Sequence, residues 1–244
     1  MPRPSLRLYC LPYSGASAMV YARWRRKLPE WIEVCPLELP GRGRRFNDPL
    51  QTDLPALVNQ LAGELQGNLD LPYALFGHSL GALVAFELAH ALRRNGLPPA
   101  SALFASGAPA PAFREYHTEL AVEQSDTQLL ARLRQLGGTP DAVFEDPEML
   151  RLTLPVLRAD FLLCGRYRYS RRALLNCPLH VFGGKQDRLS AQSLTAWQDE
   201  TTEGFSLEMF EGGHFFINAH ESRLLDLIVE RLQPVGSAPQ AVRA

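Results

Sequence analysis

Ser79 sits in Gly77-His78-Ser79-Leu80-Gly81, with the apolar run Tyr73-Ala74-Leu75-Phe76 before it and a helix-like run from Ala82 to Ala89 after it. A serine between two glycines at a strand-to-helix junction is a nucleophile-elbow arrangement. The turn is sharp, the hydroxyl projects from the sheet edge, and the glycines let strand and helix approach closely. The helix that follows aims backbone N–H groups and its dipole at the same point, where negative charge develops when a carbonyl is attacked. A serine hydroxyl is a poor nucleophile near neutral pH. It needs a base, and the base needs an orienting acid.

Two later segments meet those needs. Leu179–Phe182 reads as a strand and runs into Gly183-Gly184-Lys185-Gln186-Asp187. Ser206–Phe210 reads as another and runs into Glu211-Gly212-Gly213-His214. Sites in open α/β sheets form on loops at the carboxyl ends of strands, and the chain order Ser, Asp, His is that of α/β hydrolases. His214 is therefore the candidate base and Asp187 the candidate acid. Asp160 lies in a helical stretch and Asp199 towards the end of another, so neither follows a strand. The other histidines fit less well: His78 adjoins the nucleophile, His90 lies in the elbow helix, His117 in an inserted segment, His180 within a strand and His220 at a helix start. Structural or surface roles are expected for all five. Two N–H donors are needed for the oxyanion. Leu80, next after the nucleophile, is one candidate. Ser14, in Tyr13-Ser14-Gly15 after the first strand, is the other, with a plain turn as the alternative reading of that loop.

The elements that must position these residues alternate. Strand candidates are Leu6–Leu11, Ile32–Leu37, Tyr73–Phe76, Ala102–Ala105, Leu179–Phe182 and Ser206–Phe210. A short helix is expected around Trp24 and Leu28. Longer ones are expected over Leu54–Leu69, where apolar residues recur with a helix period, from the elbow to about Asn95, near Ala191–Glu200, and over Ser222–Leu232. Alternation of this kind predicts an α/β fold, a mostly parallel sheet with helices on both faces. It is interrupted over about 109–172, where helical stretches at Thr127–Leu136 and Pro147–Cys164 replace strands and read as an inserted helical lid. Residues 1–233 are expected to form one domain, and the Pro-, Gly-, Ser- and Ala-rich 234–244 a disordered tail.

Composition narrows the function classes. The chain has 244 residues, 46% hydrophobic and 21% charged, with a formal net charge of −1. This balance gives no reason to expect nucleic acid or an anionic membrane as partner. There is no P-loop, no Gly-x-Gly-x-x-Gly after a strand, no His-Glu-x-x-His, and no Cys/His metal spacing, so neither metal nor cofactor is expected. Cys10, Cys35, Cys164 and Cys177 read as reduced structural thiols. Leu6–Leu11 is too short, and too interrupted by Arg7, for a signal segment, and no apolar run reaches membrane-span length. The expected compartment is the cytoplasm and the expected state a monomer. Arg42, Arg44 and Arg45, and Arg166, Arg168, Arg171 and Arg172, form two basic clusters. They read first as solvated faces and second as a landing surface for an acidic partner or a phosphate.

Several segments together resemble the type II thioesterases, the free-standing α/β-hydrolase thioesterases that accompany non-ribosomal peptide and polyketide synthases. They are Leu11-Pro12-Tyr13-Ser14-Gly15-Ala16, Leu39-Pro40-Gly41-Arg42-Gly43-Arg44-Arg45, Gly77-His78-Ser79-Leu80-Gly81-Ala82, Leu136-Gly137-Gly138-Thr139-Pro140, Leu154-Pro155-Val156-Leu157-Arg158-Ala159-Asp160, Gly183-Gly184-Lys185-Gln186-Asp187 and Gly212-Gly213-His214-Phe215-Phe216. Leu11, Ser14, Ala16 and Leu80 depart from the family's usual residues. An oxyanion donor needs only its backbone N–H, so these departures touch the shape of the acyl pocket rather than the mechanism. The resemblance implies hydrolysis of acyl groups from the phosphopantetheine arm of an acyl or peptidyl carrier protein, in repair of misprimed synthases. It also implies contact with that carrier. A carboxylester hydrolase or acyltransferase of the same fold would use the same triad. A non-catalytic binding protein would lack a triad member, and here none is missing.

Overall fold

The computed structural model describes residues 4–114, 121–137 and 144–233. The expected tail at 234–244, His117, and Gly138-Thr139-Pro140 of one family-like motif lie outside them. Six strands, β1 (Leu6–Leu11), β2 (Ile32–Pro36), β3 (Tyr73–His78), β4 (Ala102–Ser106), β5 (Leu179–Gly184) and β6 (Phe205–Phe210), form one sheet in the order β2-β1-β3-β4-β5-β6. Every neighbouring pair is parallel. All residues of β3, β4 and β5 are buried, as expected where both faces of a parallel sheet are covered. Pro36 ends β2, an edge strand, where a missing N–H is tolerated.

One face is covered by α1 (Leu54–Leu65) and α2 (Leu80–Arg94), packing Leu57, Leu61, Leu83 and Phe86 against Leu75 and Leu103. The other is covered by α7 (Glu221–Leu232) and a 3₁₀ segment, Ala18–Arg26, which pack Trp24, Leu224 and Ile228 against Phe76 and Phe104. The short helix expected near Trp24 is thus 3₁₀ rather than α, and its first N–H groups include one, on Met19, that donates to the Ser17 hydroxyl. The apolar period of the next helix runs on to Leu69, but the helix stops at Leu65. Gly67 does not favour continuation, and the Asn68 side-chain amide donates to the Glu64 carbonyl at 3.1 Å.

Between β4 and β5 lie α3 (Asp126–Leu136) and α4 (Pro147–Arg166). Ser125 and Gln128 form a reciprocal capping box at the start of α3, and Asp146 accepts from the N–H groups of Glu148 and Met149 at the start of α4. The two helices share a small core of Leu129, Leu133, Leu154, Leu157 and Phe161. Two short helices, α5 (Ala191–Thr195) and α6 (Phe216–Ala219), and 3₁₀ segments at Gly43–Arg45, Pro111–Phe113 and Ala196–Glu200 add to these elements, so the stretch near Ala191–Glu200 is α-helical only in its first half. Among the described residues no helix is long and apolar enough to cross a membrane.

Three histidines are buried within this framework: His78, His90 and His180. Burial, helped by Arg172 and Arg93, pulls His90 down to about 3. Burial, helped by Arg231, pulls His180 down to about 4, and its Nδ1 lies 2.7 Å from the Ser206 hydroxyl. The unfolded chain takes up protons near the ordinary value of 6.5 while these native imidazoles stay neutral. Stability therefore falls as pH drops through about 6.5 and goes on falling towards about 4, by up to roughly 2 kcal/mol per histidine between about pH 6.5 and 5. Urea denaturation at a series of pH values should show this slope, and His180→Asn should flatten it by about one histidine's share. A slope unchanged by that substitution would refute the assignment.

Candidate active site

Ser79 is the single non-glycine residue with positive φ among the described residues, at φ 57° and ψ −113°. This is strained backbone for an L-residue, costing of the order of 1–3 kcal/mol. Its neighbours show why it is held. A Cβ on Gly77 would lie 2.0 Å from the Gly81 carbonyl oxygen, and a Cβ on Gly81 would lie 2.2 Å from that of Leu11. Strand β3, helix α2 and the end of β1 meet here backbone against backbone, and only glycine fits. The Ser79 N–H donates to the Ser106 carbonyl at the end of β4, 2.7 Å away, which ties the turn to the neighbouring strand.

The loops after β5 and β6 bring Asp187 and His214 to this point. His214 Nε2 lies 3.0 Å from Ser79 Oγ, and His214 Nδ1 lies 2.8 Å from Asp187 Oδ2. Nδ1–H donates to the carboxylate, which leaves Nε2 with its lone pair towards the serine hydroxyl. The other Asp187 oxygen accepts from the Arg188 N–H at 2.7 Å, so the carboxylate is fixed at both ends. The loop carrying Asp187 is itself braced: the Gln186 N–H donates to the Gly212 carbonyl and the Lys185 N–H to that of Phe210. Gly184 must be a glycine, because a Cβ there would lie 2.4 Å from the Gly213 carbonyl oxygen.

Leu80 begins α2, so its N–H has no intrahelical acceptor. The contact between Gly81 and the Leu11 and Pro12 carbonyls lays the Pro12–Ala16 loop across the same helix start. Neither the Leu80 N–H nor the Ser14 N–H takes a partner among the described residues. Both donors are thus unused, on a loop and a helix start that touch at Gly81.

His78 is fully buried and cannot reach the serine. Its Nδ1 lies 2.9 Å from the Ser106 hydroxyl, and its ring packs against Tyr13, His214, Phe215 and Phe216. Burial, with His214 beside it, pushes His78 well below its ordinary value, so it stays neutral next to the site. Gly107, at φ 59°, faces the His78 ring where a Cβ would meet it at 2.5 Å. Tyr13 and Phe215 stack edge to face at 5.0 Å and Phe215 packs on His214, so an aromatic wall holds the base.

In the basic clusters Arg44, Arg166, Arg168 and Arg171 are exposed, as a solvated face requires, but Arg42 departs from that reading. Arg42 is not on a solvated face. It is 7% exposed and makes a bidentate pair with Asp160, which is 0% exposed, at 2.6 and 2.7 Å. Asp160 also accepts from the Gly15 N–H at 2.7 Å. Arg45 pairs with Asp48 and Glu64, and Arg172 pairs with Glu87. The sequence held one signal for Asp160. A carboxylate inside Ala159-Asp160-Phe161-Leu162-Leu163 is buried if that helix packs, and a buried charge demands a partner. Glu38 gives no such signal in the sequence. It is 4% exposed and accepts from the Ser17 hydroxyl and the Ala18 N–H at 3.0 and 2.9 Å, which fixes the far end of the same loop.

Replacing Gly81 with alanine should cost more than about 2 kcal/mol in urea denaturation, because the clash is with backbone rather than a movable side chain. A variant as stable as the parent would refute the close approach.

A thioesterase-domain profile matches residues 6–233. Gramicidin S biosynthesis protein GrsT of Aneurinibacillus migulanus is 39% identical over 235 residues, covering 94% of this chain and 90% of that protein. Linear gramicidin dehydrogenase LgrE of Brevibacillus parabrevis is 41% identical over 231 residues, covering 93% and 87%. The solved structure of the type II thioesterase BorB, from the borrelidin biosynthetic cluster, superposes with a TM-score of 0.86 at 36% identity, covering 95% of this chain and 96% of that one. The fold is that of the α/β-hydrolase thioesterases, and the chain belongs to the thioesterase domain family.

Proposed function

We propose that this thioester hydrolase clears acyl groups from the phosphopantetheine arm of carrier proteins serving a peptide or polyketide synthase in the cytoplasm. The observation that carries the chemistry is the row Ser79 Oγ, His214 Nε2, His214 Nδ1, Asp187 Oδ2, each step at hydrogen-bond distance. The biosynthetic setting comes from relatives such as GrsT and BorB.

Ser79 Oγ attacks the thioester carbonyl while His214 Nε2 takes the hydroxyl proton. Asp187 holds the ring with Nδ1 protonated and stabilises the imidazolium. The N–H groups of Leu80 and Ser14 receive the oxyanion. The tetrahedral intermediate collapses, the C–S bond breaks, and His214 returns the proton to the leaving thiol. Water, deprotonated by His214, then attacks the acyl-serine ester; the bond to Ser79 Oγ breaks, His214 gives that oxygen the proton, and the carboxylic acid leaves. Helices α3 and α4 act as the lid over the acyl chain. The dehydrogenase of LgrE's name describes that protein. Here no Gly-x-Gly-x-x-Gly follows a strand, and the loop after β1 faces the Asp160 carboxylate.

Deacylation of a holo carrier protein loaded with acetyl and longer acyl groups can be followed by intact-protein mass spectrometry. Ser79→Ala should lower turnover by at least about 10³-fold while the protein stays folded. Matched oxygen esters and thioesters should show preference for the thioester. Full activity of Ser79→Ala would sink the assignment, and preference for the oxygen ester would redirect it to a carboxylester hydrolase.

A further inference from the structure

The loop that carries Ser14 is not held by the sheet alone. Gly15, at φ 79°, is touched twice by α4. The Leu157 side chain lies where a Cβ on Gly15 would meet it at 2.7 Å, and Asp160 accepts from the Gly15 N–H at 2.7 Å. Leu157 and Asp160 are three residues apart, on one face of the helix. Arg42 meets both oxygens of this buried carboxylate, the paired geometry that a buried charge demands. Arg42 in turn lies on the loop after β2, its guanidinium within 3.5 Å of the Ala16 carbonyl. Three segments distant in sequence therefore meet at this loop, with Asp160 on the peptide group that joins Ser14 to Gly15 and Arg42 behind it on Asp160 and the Ala16 carbonyl.

We infer that Asp160 and Arg42 are positioning residues that lock the Ser14 N–H into the oxyanion hole, so that seating of α4 and assembly of the hole are one event. The inference rests on the hydrolytic reading above. The Asp160 carboxylate fixes the orientation of the Ser14–Gly15 peptide plane. That plane and the tight turn closed by the Ala16 N–H on the Tyr13 carbonyl, 3.0 Å apart, leave little rotational freedom to the N–H one residue earlier. With α4 displaced, Gly15 loses its acceptor and the Ser14 donor loses its aim. The lid thus withholds catalysis until it is seated, rather than merely covering the acyl chain. A donor misaimed in this way is felt in the transition state, where charge on the oxygen is greatest, and little in ground-state binding.

The test compares two variants in which the buried charges are removed together, since leaving one unpaired would unfold the site. Arg42→Met/Asp160→Leu deletes the acceptor for Gly15. Arg42→Met/Asp160→Asn restores a neutral one. With an acyl-pantetheine substrate, the leucine variant should lose about 30- to 1,000-fold in kcat with KM within about threefold, the size of effect a lost oxyanion donor gives. It should lose a similar factor in affinity for an alkyl trifluoromethyl ketone, whose serine adduct carries the oxyanion. The asparagine variant should recover at least about tenfold in kcat over the leucine variant. A folded leucine variant with parental kcat, a loss confined to KM, or no rescue by asparagine overturns the inference. Where the leucine variant does not fold, Asp160→Glu decides, since it keeps the ion pair and moves the acceptor by one methylene. It should lose at least about tenfold in kcat alone, and unchanged kcat overturns the inference. Ser79→Ala on the same substrate separates this outcome from failure of the hydrolytic reading: activity in that variant removes the reading itself, whatever the Asp160 variants do.

Discussion

Everything in this molecule depends on one crowded point, where the backbone of β3, the first turn of α2 and the end of β1 touch with no side chain between them. Gly77 and Gly81 make the contact possible, and Ser79 between them accepts an unfavourable φ of 57°. The cost, of the order of 1–3 kcal/mol, is small beside the burial on both sides. All residues of β3 and nearly all of α2 are inaccessible, so relaxing the turn would pull a strand and a helix out of a packed core. Strain persists where the surroundings leave no alternative. Here they also hold the Ser79 hydroxyl at the start of a helix and 3.0 Å from His214 Nε2.

The other groups reach that point by parallel-strand geometry. Each strand ends at the same edge, so the loops after β5 and β6 deliver Asp187 and His214 side by side though 27 residues separate them. The loops are stiffened by backbone bonds between them and by the close approach of Gly184 to Gly213. The imidazole is confined by Phe215 and by the neutral His78. Burial keeps His78 neutral, although its ring centroid lies only 5.1 Å from that of His214.

The buried Arg42–Asp160 pair sets this site apart from a bare triad. Buried ion pairs often add little net stability, so its worth lies in where it is. It joins the loop after β2, the loop after β1 and the helical insertion. Glu38 does the same on a smaller scale at Ser17 and Ala18. A five-residue turn with a positive-φ glycine has little to hold it by itself, and these contacts from distant segments fix it at both ends.

The strands, the elbow and the order of Ser79, Asp187 and His214 were legible in the sequence because each is a local pattern. Buried parallel strands are short apolar runs, the elbow is a pentapeptide between a strand and a helix, and the acid and base follow strands on glycine-rich turns. Element ends were less legible. The helix period after Leu54 ran past the residue where Gly67 and Asn68 stop it, and the segment at Ala18–Arg26 gave no sign that it would be 3₁₀. What the sequence by itself determined is the set of backbone-limited positions: where only glycine fits, where a strand must end, and which side chains leave the sheet edge. What only the tertiary structure decided is long-range electrostatics. Arg42 looks like any arginine in a basic loop, and Asp160 like a misplaced acid in an apolar helix, until the fold carries them across 118 residues into one desolvated contact. A charge's partner is set by distance and burial, and neither is written in the residues beside it.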